Sequence, residues 1–384
     1  MKNMEGKFVR ETLLSYYERC LISTEHGVDA DWGKHVARRK KLYRQLGIPV
    51  LTFRESDVLE IGPGAGHNSL PLLTEWGVKH IDLVEPNGVA REELYQKFEE
   101  NNVPSHRYTV YAETMERFKS SKKYDIIITE GIIHGMDNWR EWMTRLVDYA
   151  HENSIIIVTC MNEIGWYVEK MKRVILQYIT REITDHKEKV DALKVILGSQ
   201  LQSLNGMSRS VEDWIEDQIL APIILKQDWM TMGMAIEYYK DDFDVLGSSQ
   251  NIFVDYSWYK DIDYDYIASY INQYNEKKHM FLLAGDSYEI CRTIEENHQL
   301  EDAIVNANDI ARKVEEENIG IEELKDAVIN VSKNTDNSVI IDFNIELVKI
   351  IDKINNNDEI DWSEYQTFTT SFGKTMQYIS FMKR

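Results

Sequence analysis

Residues Asp57–Ser69 read DVLEIGPGAGHNS. A short apolar run, Val58–Ile61, leads into Gly62, Gly64 and Gly66, and helix-forming residues follow. Val and Ile in such a run predict a buried strand. Glycine lets the chain turn tightly and approach a ligand with no Cβ in the way. Strand, glycine loop and helix in that order put the loop at the carboxyl end of the strand, where open α/β sheets bind nucleotides. The spacing then selects among ligands. A dinucleotide loop reads GxGxxG, and its third glycine would fall on His67. Gly373-Lys374-Thr375 has the ending of a phosphate-binding P-loop, but Phe368 stands where the first glycine must be.

Outward from this loop, residues 57–160 alternate. Strand-like runs at Asp57–Ile61, His80–Val84, Arg107–Val110, Tyr124–Thr129 and Ser154–Thr159 are separated by helical patterns such as Gly88–Glu100 and Asp137–Ala150. Such alternation predicts βαβ units, a parallel sheet and a doubly wound α/β fold. Residues 1–50 read as a helical segment, with DWGKHVARRKKLYRQL (Asp31–Leu46) ending at Gly47 and Pro49. The sheet core is expected over 51–164 and again over 236–260, where Phe243–Leu246 and Ile252–Tyr256 read as a terminal hairpin. A helical insertion takes 165–235. Residues 261–384 read as a mostly helical C-terminal region, with a short strand at Ser338–Phe343; no proline follows Pro222, in keeping with helix.

Composition narrows the partners. Asp and Glu total 65 against 44 Lys and Arg, a formal charge of −21. A surface this acidic repels nucleic-acid phosphates and anionic membranes, so no nucleic acid and no membrane insertion are expected. Cys20, Cys160 and Cys291 are few and far apart, which argues against a disulfide framework and for a reducing, cytoplasmic setting. No thiolate pair suggests a metal.

The loop has the form ExGxGxG, from Glu60 to Gly66. It resembles motif I of class I S-adenosylmethionine-dependent methyltransferases. IDLVEPN follows, with Glu85 and Pro86 at the end of the second strand; YAE ends the third at Ala112 and Glu113; YDIIITEG ends the fourth at Glu130 and Gly131. The resemblance implies a mostly parallel, seven-stranded Rossmann-like sheet. It implies S-adenosylmethionine as cofactor and S-adenosylhomocysteine as product, with Glu60, Gly62, Gly64, Gly66, Glu85, Pro86, Ala112, Glu113, Glu130 and Gly131 as the cofactor set. Four outer segments, DWGKHVARRKKLYRQLGIP, SRSVEDWIEDQILAP, LGSSQNIFVDYSWYKD and FGKTMQYISFMKR, resemble a bacterial methyltransferase group associated with surface-polysaccharide and flagellar-glycan biosynthesis. That implies a small-molecule or glycan-linked acceptor, methylated on oxygen or nitrogen. A cofactor-binding scaffold for a biosynthetic partner, and a protein or RNA methyltransferase, are the alternatives.

Methyl transfer needs an acceptor held in line and, for a hydroxyl or ammonium, a base. His134, in the loop after the fourth strand, is the candidate catalytic base; the competing reading is a histidine that caps the following helix. Trp32, His35 and Arg39 share one helical face and are candidates to cover the cleft. Arg209, Asp213, Trp214, Trp258 and Tyr259 are candidate acceptor contacts, through charge or stacking, with core packing and surface pairing as the competing reading. The C-terminal helices could bury an apolar stripe against a second copy of the chain, giving a homo-oligomer.

Overall fold

The structure is a computed structural model that describes residues 15, 16, 19, 31–203, 210–221, 229–262, 265–285, 291–317 and 319–384. The chain divides into two compact units. Tyr17–Met161, Asp228–Tyr274 and Met376–Arg384 form a sheet unit; Met1–Tyr16, Asn162–Gln227 and Asn275–Thr375 form a helical unit.

The sheet unit holds seven strands: β1 (Asp57–Ile61), β2 (His80–Val84), β3 (Tyr108–Tyr111), β4 (Tyr124–Thr129), β5 (Ala150–Cys160), β6 (Phe243–Ser248) and β7 (Gln377–Lys383). Their order is β3-β2-β1-β4-β5-β7-β6. The first five run parallel, and β7 lies antiparallel to both β5 and β6. The order reverses beside β1, so the crevice at the carboxyl ends of β1 and β4 is the switch point where this fold takes ligands. Register aligns Ile61 with Val84 on one side and with Thr129 on the other, which brings the loops after β1, β2 and β4 to one edge.

Helices cover both faces of the sheet. α1 (Trp32–Gln45) starts at Asp31, whose carboxylate accepts the Lys34 N–H, and ends before Gly47. Gly47 has φ +71°, and a Cβ there would meet the Leu246 carbonyl oxygen at 2.7 Å. α2 (Ser69–Thr74), α3 (Gly88–Glu100) and α4 (Trp139–Tyr149) follow β1, β2 and β4. Tyr43, Leu46, Leu70, Leu73, Leu94 and Phe98 from these helices pack on Val58, Ile81, Leu83, Ile126, Ile128 and Ile157 of the strands. Each such fully buried side chain contributes roughly 1.5–3 kcal/mol over leaving it exposed.

Two expectations fail at the secondary-structure level. Ile252–Tyr256 is not a strand. After β6 the chain turns at Asn251, which has positive φ, and Asp255 and Tyr256 lie in solvent. The place between β5 and β6 is flanked by a strand on each side and calls for largely buried residues. QYISFMK supplies them: Gln377, Ile379, Ser380 and Phe381 are buried, and the Ser380 hydroxyl donates to the Leu46 carbonyl at 2.6 Å. Ser338–Phe343 is not a strand either, but the opening of a helix, Ser338–Asn356. Asn337 caps it by accepting the Ile340 N–H, and Ile340, Phe343, Leu347, Ile350 and Ile351 recur at helical spacing and are all buried. A run of β-branched residues suggested strand; the period of three to four overrides that preference.

Among the described residues the helical unit holds a large shared core. Ile164, Tyr167, Val168, Met171 and Ile175, from the helix Glu163–Ile179, pack with Leu300 and Ile304 of Ile294–Glu316, Val328 and Val331 of Leu324–Lys333, and Phe343 and Leu347 of Ser338–Asn356. What the sequence reads as an insertion and a separate C-terminal region therefore shares a core, and the last strand of the chain belongs to the sheet. Among the described residues no helix is long and apolar enough to cross a membrane.

Candidate functional site

The loop after β1 is the floor of the site. Gly62, Gly64 and Gly66 all have positive φ, at +71°, +57° and +77°. At Gly62 the need for glycine is double, because a Cβ would also overlap the Ile132 side chain. Glu60, one residue before the loop's strand ends, is buried and accepts the Ser69 hydroxyl at 2.6 Å. It ties β1 to the first residue of α2.

Glu85 directly follows β2 on the adjoining side. It is buried, and its two oxygens accept the Gly64 N–H at 2.9 Å and the Asn87 N–H at 2.8 Å. Burial pushes its carboxyl above the usual range, and the backbone N–H groups of Asn87 and Gly64 and the charge of Arg91 oppose that rise. Each oxygen keeps a lone pair beyond the bond it makes. Arg91 donates to the carbonyls of Glu85 and Pro86 at 2.8 and 2.6 Å and fixes the turn. Asn87 caps α3 through the Val89 and Ala90 N–H groups. Ala112 and Glu113 lie exposed just past β3, whose last residue, Tyr111, accepts the Glu85 N–H.

On the β4 side, Glu130 is held by α1. Arg39 makes a two-pronged pair with it, Nη1 to Oε2 at 2.9 Å and Nη2 to Oε1 at 2.5 Å, with both side chains about nine-tenths buried. Nη2 also donates to the Tyr43 hydroxyl, and Asn68 Nδ2 reaches Glu130 Oε2 at 3.4 Å. Burial works against the Arg39 cation, but Glu130 and Tyr43 outweigh it and hold the guanidinium well above its usual value. Arg39 Nε–H is buried and has no acceptor among the described residues. On the same helix face His35 contacts the His67 carbonyl at 3.1 Å and stacks on Trp32. Burial, with Lys97 and His35 adding, pushes His67 down to about 3, so it stays neutral.

Gly131 has φ +78°, and its N–H donates to Thr159 Oγ at 2.9 Å. His134 sits three residues on, buried, with Nδ1 2.9 Å from the same Thr159 oxygen and its ring 5.9 Å from that of Trp229. Its own carbonyl accepts the Met230 N–H.

The sheet unit thus brings together Glu60, the three glycines, Glu85, Pro86, Glu130, Gly131, His134, His35 and Arg39. Trp258 and Tyr259 belong to the same unit but to an exposed turn, where Lys260 lies over both rings. Asp213 and Trp214 belong to the helical unit: the Asp213 N–H is capped by Ser210, and Trp214 packs edge-on against Phe372. Arg209 lies outside the described residues. The sequence reading missed Tyr43, Asn68 and Thr159. Tyr43 had a signal, since it follows Arg39 by one helical turn. Thr159 had none: it is an ordinary strand residue, far from His134 in the chain.

The residues fit an adenosyl cofactor. Glu85 has acceptor capacity aimed at the loop, where ribose hydroxyls would donate. Arg39 offers an unused buried N–H to an anion, and the glycines clear the backbone between them. Among the described residues no group of His, Cys, Asp and Glu could hold a metal ion.

Residues 34–181 match the family described as a methyltransferase domain. A curated relative, the ubiquinone biosynthesis O-methyltransferase of Rickettsia canadensis, is 29% identical over 107 residues, covering 28% of this chain and 43% of that protein. The chain therefore spans less than half the length of that relative. Among solved structures, PKMT2 from Rickettsia typhi aligns with 15% identity over 64% of this chain and 51% of that one, at a TM-score of 0.42. The N-methyltransferase NodS from Bradyrhizobium japonicum WM9, in complex with S-adenosylhomocysteine, aligns with 16% identity over 34% of this chain and 63% of that one, at a TM-score of 0.29. Residues 34–181 thus resemble a methyltransferase domain, carried on a sheet of Rossmann-like strand order.

Proposed function

We propose that the protein transfers a methyl group from S-adenosylmethionine to an oxygen or nitrogen of a small-molecule or glycan-linked acceptor in bacterial surface-glycan biosynthesis. The observation that carries the transferase reading is the buried Glu85 carboxylate, clamped to Gly64 across a loop of three positive-φ glycines. The glycan reading rests on the outer sequence segments alone. The name of the matched relative supports oxygen as the methylated atom, and an acceptor from ubiquinone biosynthesis belongs in the same screen.

When bound, the cofactor supplies an activated methyl group on a positively charged sulfonium. The chain's own residues then bind and orient. Glu85 takes the ribose hydroxyls on its free lone pairs. Arg39 takes the cofactor carboxylate through Nε–H, while Glu130 and Tyr43 hold the guanidinium in place. Gly62, Gly64 and Gly66 admit the cofactor close to the backbone, and Gly131, with open space where its Cβ would be, does the same on the β4 side. Ala112 and Glu113 flank the adenine. His134 lies in the loop after β4, where the acceptor would enter, and Trp32 offers a flat surface for a sugar or ring.

The test is transfer of a labelled methyl group from S-adenosylmethionine to a panel of sugar nucleotides, glycan precursors and quinone precursors. Label on at least one acceptor, lost on Glu85→Ala, supports the reading. Cofactor binding with no transfer to any acceptor moves the protein to a binding scaffold.

A further inference from the structure

Loops that bind phosphate do so with a run of backbone N–H groups, helped by the start of the helix that follows. The loop after β1 has that position in the fold but spends its donors elsewhere. The Gly62 N–H goes to the Val84 carbonyl at 2.9 Å, the Gly64 N–H to Glu85 Oε2 at 2.9 Å, and the Gly66 N–H to the Pro63 carbonyl at 3.0 Å. Pro63 has no N–H to give. Four of the five residues Gly62–Gly66 therefore offer a ligand no backbone donor. Over Gly62 lies carbon, since a Cβ there would overlap the Ile132 side chain. At the start of α2 a carboxylate is already present: the Ser69 hydroxyl donates to the buried Glu60. Of the cations, Arg39 is taken up by Glu130, and Arg91 puts Nη1 on the carbonyls of Glu85 and Pro86.

We propose that Glu85 is the specificity-determining residue of this loop: it takes the Gly64 N–H and sets a carboxylate beside the glycines, so the site accepts an adenosine with an uncharged thioether at its 5′ position and turns away one with a phosphate there. Glu85 touches Gly64 directly, so the 5′ group of a nucleoside held by its ribose at Glu85 would fall beside the glycines. A phosphate in that place meets a carboxylate and lacks the several donors it needs. A thioether asks for no donor and can lie against the glycine backbone and the Ile132 carbon. The carboxylate of the cofactor is several bonds farther from the ribose and has the Arg39 Nε–H to meet. The loop position that makes a dinucleotide site in other sheets is thus closed to dinucleotides here by donors already spent, besides the missing third glycine. The part concerning adenosyl ligands rests on the methyltransferase reading; the part concerning phosphate does not.

The test pairs two ligands that share adenosine and differ at the 5′ position, 5′-methylthioadenosine and AMP, each titrated calorimetrically into the full chain. The thioether is expected to bind about 100-fold more tightly, because like charge set against a wrong ligand suppresses it. In Glu85→Gln the carboxylate charge is gone, and that ratio should fall roughly tenfold. Equal affinity for the two ligands in the wild type overturns the proposal, and so does an unchanged ratio in Glu85→Gln. A second measurement needs no nucleoside. Pro63-Gly64 is the only Pro-Gly pair in the sequence, so labelling with 13C-carbonyl proline and 15N-glycine isolates the Gly64 amide signal. Inorganic pyrophosphate should leave that signal unmoved, and a saturating shift overturns the proposal. The Gly64 measurement on the wild type decides where Glu85→Gln does not fold or the two affinities are too weak to compare. A sample that binds neither S-adenosylhomocysteine nor 5′-methylthioadenosine, and whose Gly64 signal ignores pyrophosphate, rejects the adenosyl reading and keeps the exclusion of phosphate.

Discussion

Two buried charged clusters, one in each unit, use charge differently. In the sheet unit Arg39 and Glu130 neutralise each other through two parallel bonds at the ligand edge of the sheet. In the helical unit Glu169 and Lys172, on one helix and both buried, spend their bonds on backbone. Glu169 accepts the Gly373 N–H at 2.9 Å, and Lys172 donates to the carbonyls of Thr369 and Ser371. Lys172 also lies 4.0 Å over the Phe372 ring. The matched pair satisfies both side chains and leaves a spare Arg39 N–H for a ligand. The other two hold an irregular segment, Ser371–Lys374, against a helix, where Gly165 and Gly373 let the backbones touch. Burial pushes Glu169 up and Lys172 down, each against its charged form.

The comparison breaks most easily at Arg39. Arg39→Met strands a buried carboxylate, which costs about 3–5 kcal/mol in measured breakages of buried pairs. Urea unfolding should show a loss of that order, together with loss of cofactor binding; a fully stable variant with intact binding would contradict the role given to the pair. Glu85→Ala removes charge-assisted bonds worth roughly 1.5–3 kcal/mol, so cofactor affinity should fall by about 10–100-fold in a titration while the fold persists. Lys172→Met leaves two buried carbonyls short of a donor and should cost about 2 kcal/mol of stability. It should leave cofactor affinity untouched, and a drop in affinity would erase the contrast between the two clusters.

The smallest effect is in pH. Glu169 has its folded pKa raised from 4.5 to about 7, chiefly by burial. The folded protein then holds this proton after the unfolded chain has lost it, so the stabilisation is complete below the ordinary carboxylate value and fades as pH rises towards 7. Unfolding midpoints of the wild type should decline over that interval more than those of Glu169→Gln. Parallel curves would mean that the carboxylate titrates normally.

The parts of the fold that sequence reveals are those written in local pattern. The glycine loop, its strand, and the acids ending β2 and β4 are each confined to a short window, and all lie at one sheet edge. The helical face of Trp32, His35 and Arg39 was equally plain, but its partner was not. Glu130 is distant in sequence, and only the sheet's closure brings it to Arg39. The last strand was hidden for the same reason. QYISFMK pairs with strands far upstream, while IFVDY has the better local strand composition and lies outside the sheet. Ser338–Phe343 shows the opposite lesson: β-branched composition misled where the wider spacing already spelled helix. Thr159 was invisible because its importance comes from two partners that the fold alone supplies.

The most direct test of the central claim is calorimetric titration of the purified protein with S-adenosylmethionine and S-adenosylhomocysteine, with NAD as control. The account predicts micromolar binding of both adenosyl compounds and no binding of NAD. A folded sample that binds neither, or that prefers NAD, would contradict it.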